Sequence, residues 1–482
     1  MIDTIEAALP IALPIAGTAV LLVASTHAVL TVRDSRSAAG WVGIIVSLPF
    51  IGALLYWLLG INRVKRRAVA LLRGREPLSL MIDDPENPDS PSGLLRTVDL
   101  PELARAIDAV TVRPLVTGNT VTPLVNGDEA YPAMLEAIRG ARHNITLTTY
   151  IFDRDRVGRR FVDALADAVR RGVEVRVLID AVGARYSFPT IVRTLRRRGI
   201  MVERFNPTFF PPWRLTYSNL RNHRKILVID GTVGFTGGMN IRHGHCVAEA
   251  PRRPVLDLHF RVEGPVVAHM QHTFAEDWAF VRGERLEGPR WFPPAPARPG
   301  EVIARGITDG PDLDMDKLKW SLLAALACAK RRVRIATPYF LPETELIAAF
   351  TMTRLRGVEV EVILSEKNNQ LIAKWASDAV LPELVKAGCT IWKTLGPFDH
   401  SKVLIVDDSW VLIGSTNLDP RSLRLNFEFN VECHAPALAQ RMHGILDVKR
   451  TGARRVTEES LAARGFLSRV RNGVARLFLP YL

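Results

Sequence analysis

The chain has 482 residues, enough for two or three domains with a large buried core, so neither a structural metal nor a disulfide framework is needed to hold it together. A net charge of +13 calls for an anionic partner, nucleic acid or a membrane rich in acidic lipid, and charge alone does not choose between them. The four cysteines, Cys246, Cys328, Cys389 and Cys433, lie far apart without metal-site spacing and read as reduced.

The first elements are apolar. Leu9 to Val32 and Ser37 to Ile61 are uncharged runs, each giving at least about 36 Å of helix against a hydrocarbon core of about 30 Å. Asp3 and Glu6 precede the first run and a second run follows at once, so the pattern predicts a two-helix membrane anchor rather than a cleaved leader. Arg63, Lys65, Arg66, Arg67 and Arg73 outweigh the Arg33, Asp34 and Arg36 loop, which places the globular part in the cytoplasm by the positive-inside rule. His27 inside the first run is read as a helix-packing or interface residue.

Residues Asp83 to Gly93 are rich in proline and acid, have no apolar face and read as a linker. Beyond them the periodicity predicts helix Ala133–Ala141, strand Ile145–Phe152, helix Val157–Arg171 and strand Val173–Ile179. The order returns as helix Leu318–Ala329, strand Val333–Phe340, helix Glu343–Arg354 and strand Val358–Leu364. Arg171-Gly172-Val173-Glu174-Val175 is even repeated as Arg356-Gly357-Val358-Glu359-Val360. The expectation is an α/β protein of two duplicated α/β/α halves about a pseudo-twofold axis, preceded by the two-helix transmembrane hairpin. The boundaries are 1–67 for the hairpin, 68–115 for the linker, 116–300 and 301–455 for the halves, and 456–482 for a carboxyl-terminal amphipathic helix.

Each half carries His-x-Lys-x4-Asp: His223, Lys225 and Asp230 in one, His400, Lys402 and Asp407 in the other. Asn240 and Asn417 stand seventeen residues after the respective histidines, in Gly237-Gly238-Met239-Asn240 and Gly414-Ser415-Thr416-Asn417. Strand alternation points each His and Lys the same way, while Asp230 and Asp407 fall at strand ends and are given a structural role. Displacement at a phosphodiester needs a nucleophile, an acid for the departing alkoxide and donors for the non-bridging oxygens. Two histidines divide the first two tasks, Lys225 and Lys402 supply charge, and Asn240 and Asn417 supply amide donors, so no metal or cofactor is required. Ser415 adds a hydroxyl that Gly238 lacks, and both positions are assigned to substrate binding. A nucleophilic imidazole also needs a carboxylate on its far nitrogen. Alternating sequence nominates Glu428 as that group in the second half and Asp257 in the first.

These paired motifs resemble the phospholipase D superfamily over nearly the whole chain. More narrowly, the apolar hairpin with Trp41 and Leu48-Pro49-Phe50, the run Asn222-His223-Arg224-Lys225 and Asn417-Leu418-Asp419-Pro420-Arg421-Ser422 resemble bacterial cardiolipin synthases of the phospholipase D type. Ser401 stands where many relatives have alanine. The resemblance implies a multi-pass protein of the bacterial inner membrane that takes a phosphatidyl group from one phosphatidylglycerol, through a phosphohistidine on His223, and gives it to a second. His400 serves as acid and then base. The partners implied are phosphatidylglycerol and anionic membrane lipid. A hydrolytic phospholipase D would use the same residues, whereas a membrane-tethered nuclease is disfavoured because no basic stripe is interleaved with aromatic side chains. Near the carboxyl end, Phe466, Leu467, Val470, Val474, Leu477 and Phe478 share one helical face with arginines around it, which suits either the membrane interface or the protein's own core.

Overall fold

The computed structural model describes residues 2–32, 35–60, 91–206, 220–294, 300–311 and 314–477. An amino-terminal helical unit and the body that begins beyond it are two compact units.

In the amino-terminal unit, helix Ile2–Thr31 includes Pro14–Thr31, the one stretch among the described residues long and apolar enough to cross a membrane. The second apolar run was expected to form one more straight span, and it is broken instead. Helix Ser35–Ser47 stops before Leu48 (φ −139°, ψ 77°), and Pro49 starts a new helix that runs into Tyr56–Gly60. Proline pushes the residue before it out of the helical region, which is the cause. Gly52 sits in the bend, where an added Cβ would lie 2.5 Å from the Ile44 carbonyl oxygen. Ala28, Ile45 and Tyr56 form the small core of this unit, and His27 Nδ1 lies 2.8 Å from the Tyr56 hydroxyl. The basic flank at 63–73 and the acidic stretch 83–90 lie outside the described residues.

The linker expected at 68–115 is folded over its second half, from Pro91 onward. Helices Pro91–Thr97 and Pro101–Asp108 form, and Leu100, Leu103 and Ile107 enter a core with Leu318 and Leu322. The apolar side chains recur every three to four residues after each proline, a short helical signal hidden behind the composition of the preceding stretch.

The body is built on one long sheet. The first-half strands are β1 (Val116–Val125), β2 (Asn144–Thr149), β3 (Glu174–Asp180), β4 (Met201–Phe205), β5 (Arg221–Asn222), β6 (Ile226–Ile229), β7 (Val233–Gly237), β8 (Val255–Leu256) and β9 (Leu258–Glu263). In the second half come β10 (Val302–Asp309), β11 (Arg332–Ala336), β12 (Glu359–Ser365), β13 (Thr390–Thr394), β14 (Phe398–Asp399), β15 (Val403–Val406), β16 (Trp410–Gly414), β17 (Asn426–His434) and β18 (Arg454–Val456). The order is β18-β13-β12-β11-β15-β16-β17-β10-β1-β9-β7-β6-β2-β3-β4. Outward from the antiparallel β1–β10 pair, both arms pass through antiparallel strands into parallel βαβ units, and the second arm carries one further antiparallel strand, β18, at its edge. Helices Asn126–Gly140 and Arg156–Arg170 cover one face of the first arm, and Lys317–Cys328 and Thr344–Leu355 cover the second. A third apolar cluster draws on both arms, joining Val228 and Phe260 to Ile405, Phe429 and Val431 beneath helices Val266–Arg282 and Pro436–Arg450. The two arms therefore share a core.

Candidate functional site

The expected strands Ile145–Phe152 and Val333–Phe340 stop early, β2 at Thr149 and β11 at Ala336. The residues after them turn over the sheet and meet the loops that follow β7 and β16, through the bridges Phe152 to Ile241 and Phe340 to Leu418. The motif histidines sit beneath those turns.

Two short parallel ladders position the histidines. β5 pairs with the start of β17, so that the His223 amide donates to the Phe427 carbonyl at 2.9 Å. β14 pairs with β8, and the His400 amide donates to Leu256 at 2.7 Å. The next residue on each partner strand is a carboxylate. His223 Nδ1 lies 2.9 Å and 3.1 Å from the two oxygens of Glu428, and His400 Nδ1 lies 2.9 Å from Asp257 Oδ2. The expected pairing within each half is thus crossed: Glu428 of the second half serves His223 of the first, and Asp257 of the first serves His400. Parity along a strand tells which face a side chain takes, and the two ladders decide which histidine it meets.

Each lysine folds back on its own motif, Lys225 Nζ donating to the His223 carbonyl and Lys402 Nζ to the His400 carbonyl, both at 2.6 Å. For Lys225 one ammonium proton is used in this way, while Lys402 Nζ also lies 3.1 Å from His400 Nδ1. Burial pushes Lys225 down to about 7 and Lys402 down to about 8, while burial and the lysine charges push both imidazoles well below their usual value. His400 also feels the charge of His223, so the four groups form one electrostatic cluster. Neutral imidazoles with Nδ1–H directed at a carboxylate leave Nε2 as the free base. Burial raises Asp257 and takes Glu428 up to about 7, with Lys225 opposing the latter shift.

Asp230 and Asp407 lie away from this cluster. Asp230 accepts the amides of Arg142, His143 and Asn144, and Asp407 those of Lys330, Arg331 and Arg332, each aspartate at a positive φ near 50°. Asn240 Oδ1 accepts from the Ile151 amide at 3.0 Å, which turns its amide nitrogen into the donor end. Asn417 differs, since its amide nitrogen donates to Ser422 Oγ at 3.0 Å.

Ser415 and Gly238, expected to bind substrate, stand beside the two carboxylates. Ser415 is fully buried and its hydroxyl donates to Glu428 Oε2 at 2.5 Å. At Gly238 an added Cβ would lie 2.2 Å from Asp257 Oδ1. The two positions therefore support the carboxylates, the longer Glu428 being held by a hydroxyl and the shorter Asp257 fitting against bare backbone.

Several site residues escaped the sequence reading. Tyr150 stands edge-on to the His223 ring at 5.2 Å, and Tyr339 and Phe398 flank His400 at 6.4 Å and 5.9 Å. Both tyrosines had been absorbed into strand predictions, and only the early strand ends free them. Asp277 bonds Asn222 at 2.8 Å and Arg224 at 2.5 Å, and Lys449 bonds Asp399 at 2.7 Å, so the helices Val266–Arg282 and Pro436–Arg450 brace β5 and β14. His245 Nδ1 donates to the Val255 carbonyl at 3.2 Å, and burial takes its imidazole down to about 3.

The family model described as cardiolipin synthase, phospholipase D-like domain, matches residues 134–278 and 322–448, and the phospholipase D-nuclease N-terminal model matches 19–60. Cardiolipin synthase 1 of Bacillus cereus is 31% identical over 408 residues, covering 82% of this chain and 79% of its own. The major cardiolipin synthase of Bacillus subtilis is 29% identical over 458 residues, covering 93% and 94%. Among solved structures, the phosphatidylserine synthase of Haemophilus influenzae superposes with a TM-score of 0.61 at 16% identity, over 79% of this chain and 100% of that one, a likeness of fold.

Proposed function

Because the chain belongs to the family of phospholipase D-like cardiolipin synthases, we propose that it joins two phosphatidylglycerols into cardiolipin and glycerol through a phosphohistidine on His223. The observation that carries this reading is the crossed pair, two buried imidazoles each oriented by a carboxylate from the other half of the chain.

The negative charge of the bound phosphodiester offsets the cations around His400, which enters the first step protonated on both nitrogens; His223 Nε2 attacks phosphorus, the bond from phosphorus to the glycerol oxygen breaks, and His400 gives its Nε2 proton to the departing glycerol. In the second, His400 takes the proton of a hydroxyl on another phosphatidylglycerol. That oxygen attacks the phosphohistidine and the bond to His223 Nε2 breaks. Lys225, Lys402 and the amide of Asn240 hold the non-bridging oxygens throughout. His223 is assigned as the nucleophile because both Glu428 oxygens hold it, whereas a single oxygen of Asp257 holds His400. The tyrosine and phenylalanine rings over both histidines favour a lipid hydroxyl over water as acceptor.

The finer architecture belongs to the same proposal. The matching strand order of the two arms, up to the extra edge strand β18, supports an internal duplication about a pseudo-twofold axis, with the reaction centre on it. The kinked second apolar run completes a membrane hairpin, and the basic residues after it support a catalytic body on the cytoplasmic face of the inner membrane.

The test uses the purified full chain with phosphatidylglycerol labelled at phosphorus, the released glycerol being measured separately. Cardiolipin and free glycerol are expected in equal amounts; phosphatidic acid without cardiolipin would overturn the transferase in favour of hydrolysis. The His400→Ala chain should accumulate label on His223, and label retained after His223→Ala would reverse the assignment.

A further inference from the structure

The carboxyl-terminal helix Phe466–Leu477 is mounted with its faces reversed. Its buried residues are Asn472 and Ala475, seated against helix Leu371–Lys386, where Arg471 lies 4.6 Å over the Trp375 ring and Arg464 pairs with Asp378 at 3.3 Å. The apolar stripe points away: Leu467 is 81% and Leu477 75% exposed, and Phe466, Val470 and Val474 are exposed with them. Leu371 and Ile372 of the supporting helix are exposed as well. A helix docked on its own core buries its apolar stripe and leaves its polar side wet.

What the inner face covers is equally specific. Ala475 packs in a small cluster with Tyr339, Leu341, Ala373 and Ala376, bordered by Phe398. Tyr339 and Phe398 are the rings that flank His400. The helix thus rests on the wall of the reaction centre while presenting bare apolar side chains, edged by the exposed Arg469 and Arg476, to the outside.

We infer that this helix is an interfacial element that lies in the surface of an anionic bilayer and seats the His400 side of the reaction centre there, a second membrane contact independent of the amino-terminal helices. The inference rests on the reading of the site as one that acts on lipid. The occupant is a bilayer and not a second copy of the chain, because arginines edging the stripe would repel their own copies and attract lipid phosphates. The reaction centre beneath the helix also draws its substrate from that surface.

The test uses the full chain in vesicles of phosphatidylcholine and phosphatidylglycerol. An environment-sensitive fluorophore is attached through Leu467→Cys or Val474→Cys in a Cys328→Ser background, with Val448→Cys, an exposed position on helix Pro436–Arg450, as the control. Emission at 467 and 474 should shift to the blue and be quenched severalfold more than at 448 by lipids brominated in their acyl chains. Equal quenching at all three positions, or cross-linking between copies at 467 in place of quenching, would overturn the inference. Neither readout depends on turnover, so a failed transferase reading leaves this result standing. In turnover assays, Leu467→Glu with Val474→Glu should lower activity on vesicles at least severalfold and leave activity on monomeric short-chain phosphatidylglycerol unchanged. An equal loss on both substrates would also overturn it.

Discussion

His223 depends on Glu428 for its tautomer, and Glu428 depends on the Ser415 hydroxyl and the Asn426 amide for its position. Glu428→Gln keeps the shape and offers the wrong group to Nδ1–H in half of its orientations. Formation of the phosphohistidine is expected to slow on the order of 10²-fold with little change in KM, as read by single-turnover labelling. Lys225 makes the opposite kind of prediction, since its burial costs stability. Held at about 7 against an ordinary 10.5, it binds fewer protons folded than unfolded between those values, so stability rises with pH across that window and the cost is present in full below about 7. Lys225→Met should abolish turnover yet raise stability at pH 6 by about 1–3 kcal/mol, after allowing for the lost bond to the His223 carbonyl, and the gain should fade towards pH 10. Thermal unfolding at the two pH values measures it. The sequence revealed the histidines, lysines and asparagines because a repeated motif is a local pattern, and it nominated Glu428 and Asp257 because alternation marks a polar face. It could not pair them, because the β5–β17 and β8–β14 ladders bring together residues 205 and 143 positions apart.

Among the elements, the motif aspartates are turn anchors. Asp407 ends β15 at a positive φ and gathers three consecutive amides from the segment entering β11. Asp407→Ala strands those donors and is expected to cost about 2–4 kcal/mol of stability while the turnover of folded molecules stays close to that of the parent, seen by comparing denaturant midpoints with active-site titration. The βαβ units were legible from their periodicity to within a few residues. Where chain ends of elements mattered most, periodicity failed: Tyr150 and Tyr339 continue an apolar pattern in sequence but leave the sheet in space. The helices at Pro91 and Pro101 and the break at Pro49 show the two sides of proline chemistry, a favoured first helical position and a forced departure from helix just before it.

At the scale of the whole molecule, repeated wording raises the expectation of two similar arms, whereas their interdependence is visible only in the structure. The arms share an apolar core, the Leu100–Ile107 helix packs on second-half residues, and Arg305 ties that helix to β17 through Asp108 and Glu432. Residues 91–300 produced alone should therefore neither unfold cooperatively nor label on His223, while co-expression with residues 301–482 restores labelling. Autonomous labelling of the first piece would contradict the crossed arrangement. The same arrangement has a consequence for synthesis. His223 leaves the ribosome 205 residues before the carboxylate that makes it reactive, an interval of roughly 10–40 s at ordinary elongation rates. Until then the emerging chain, already beside a membrane full of substrate, carries an imidazole with no fixed tautomer. On the proposed mechanism its chemistry waits for the synthesis of β17.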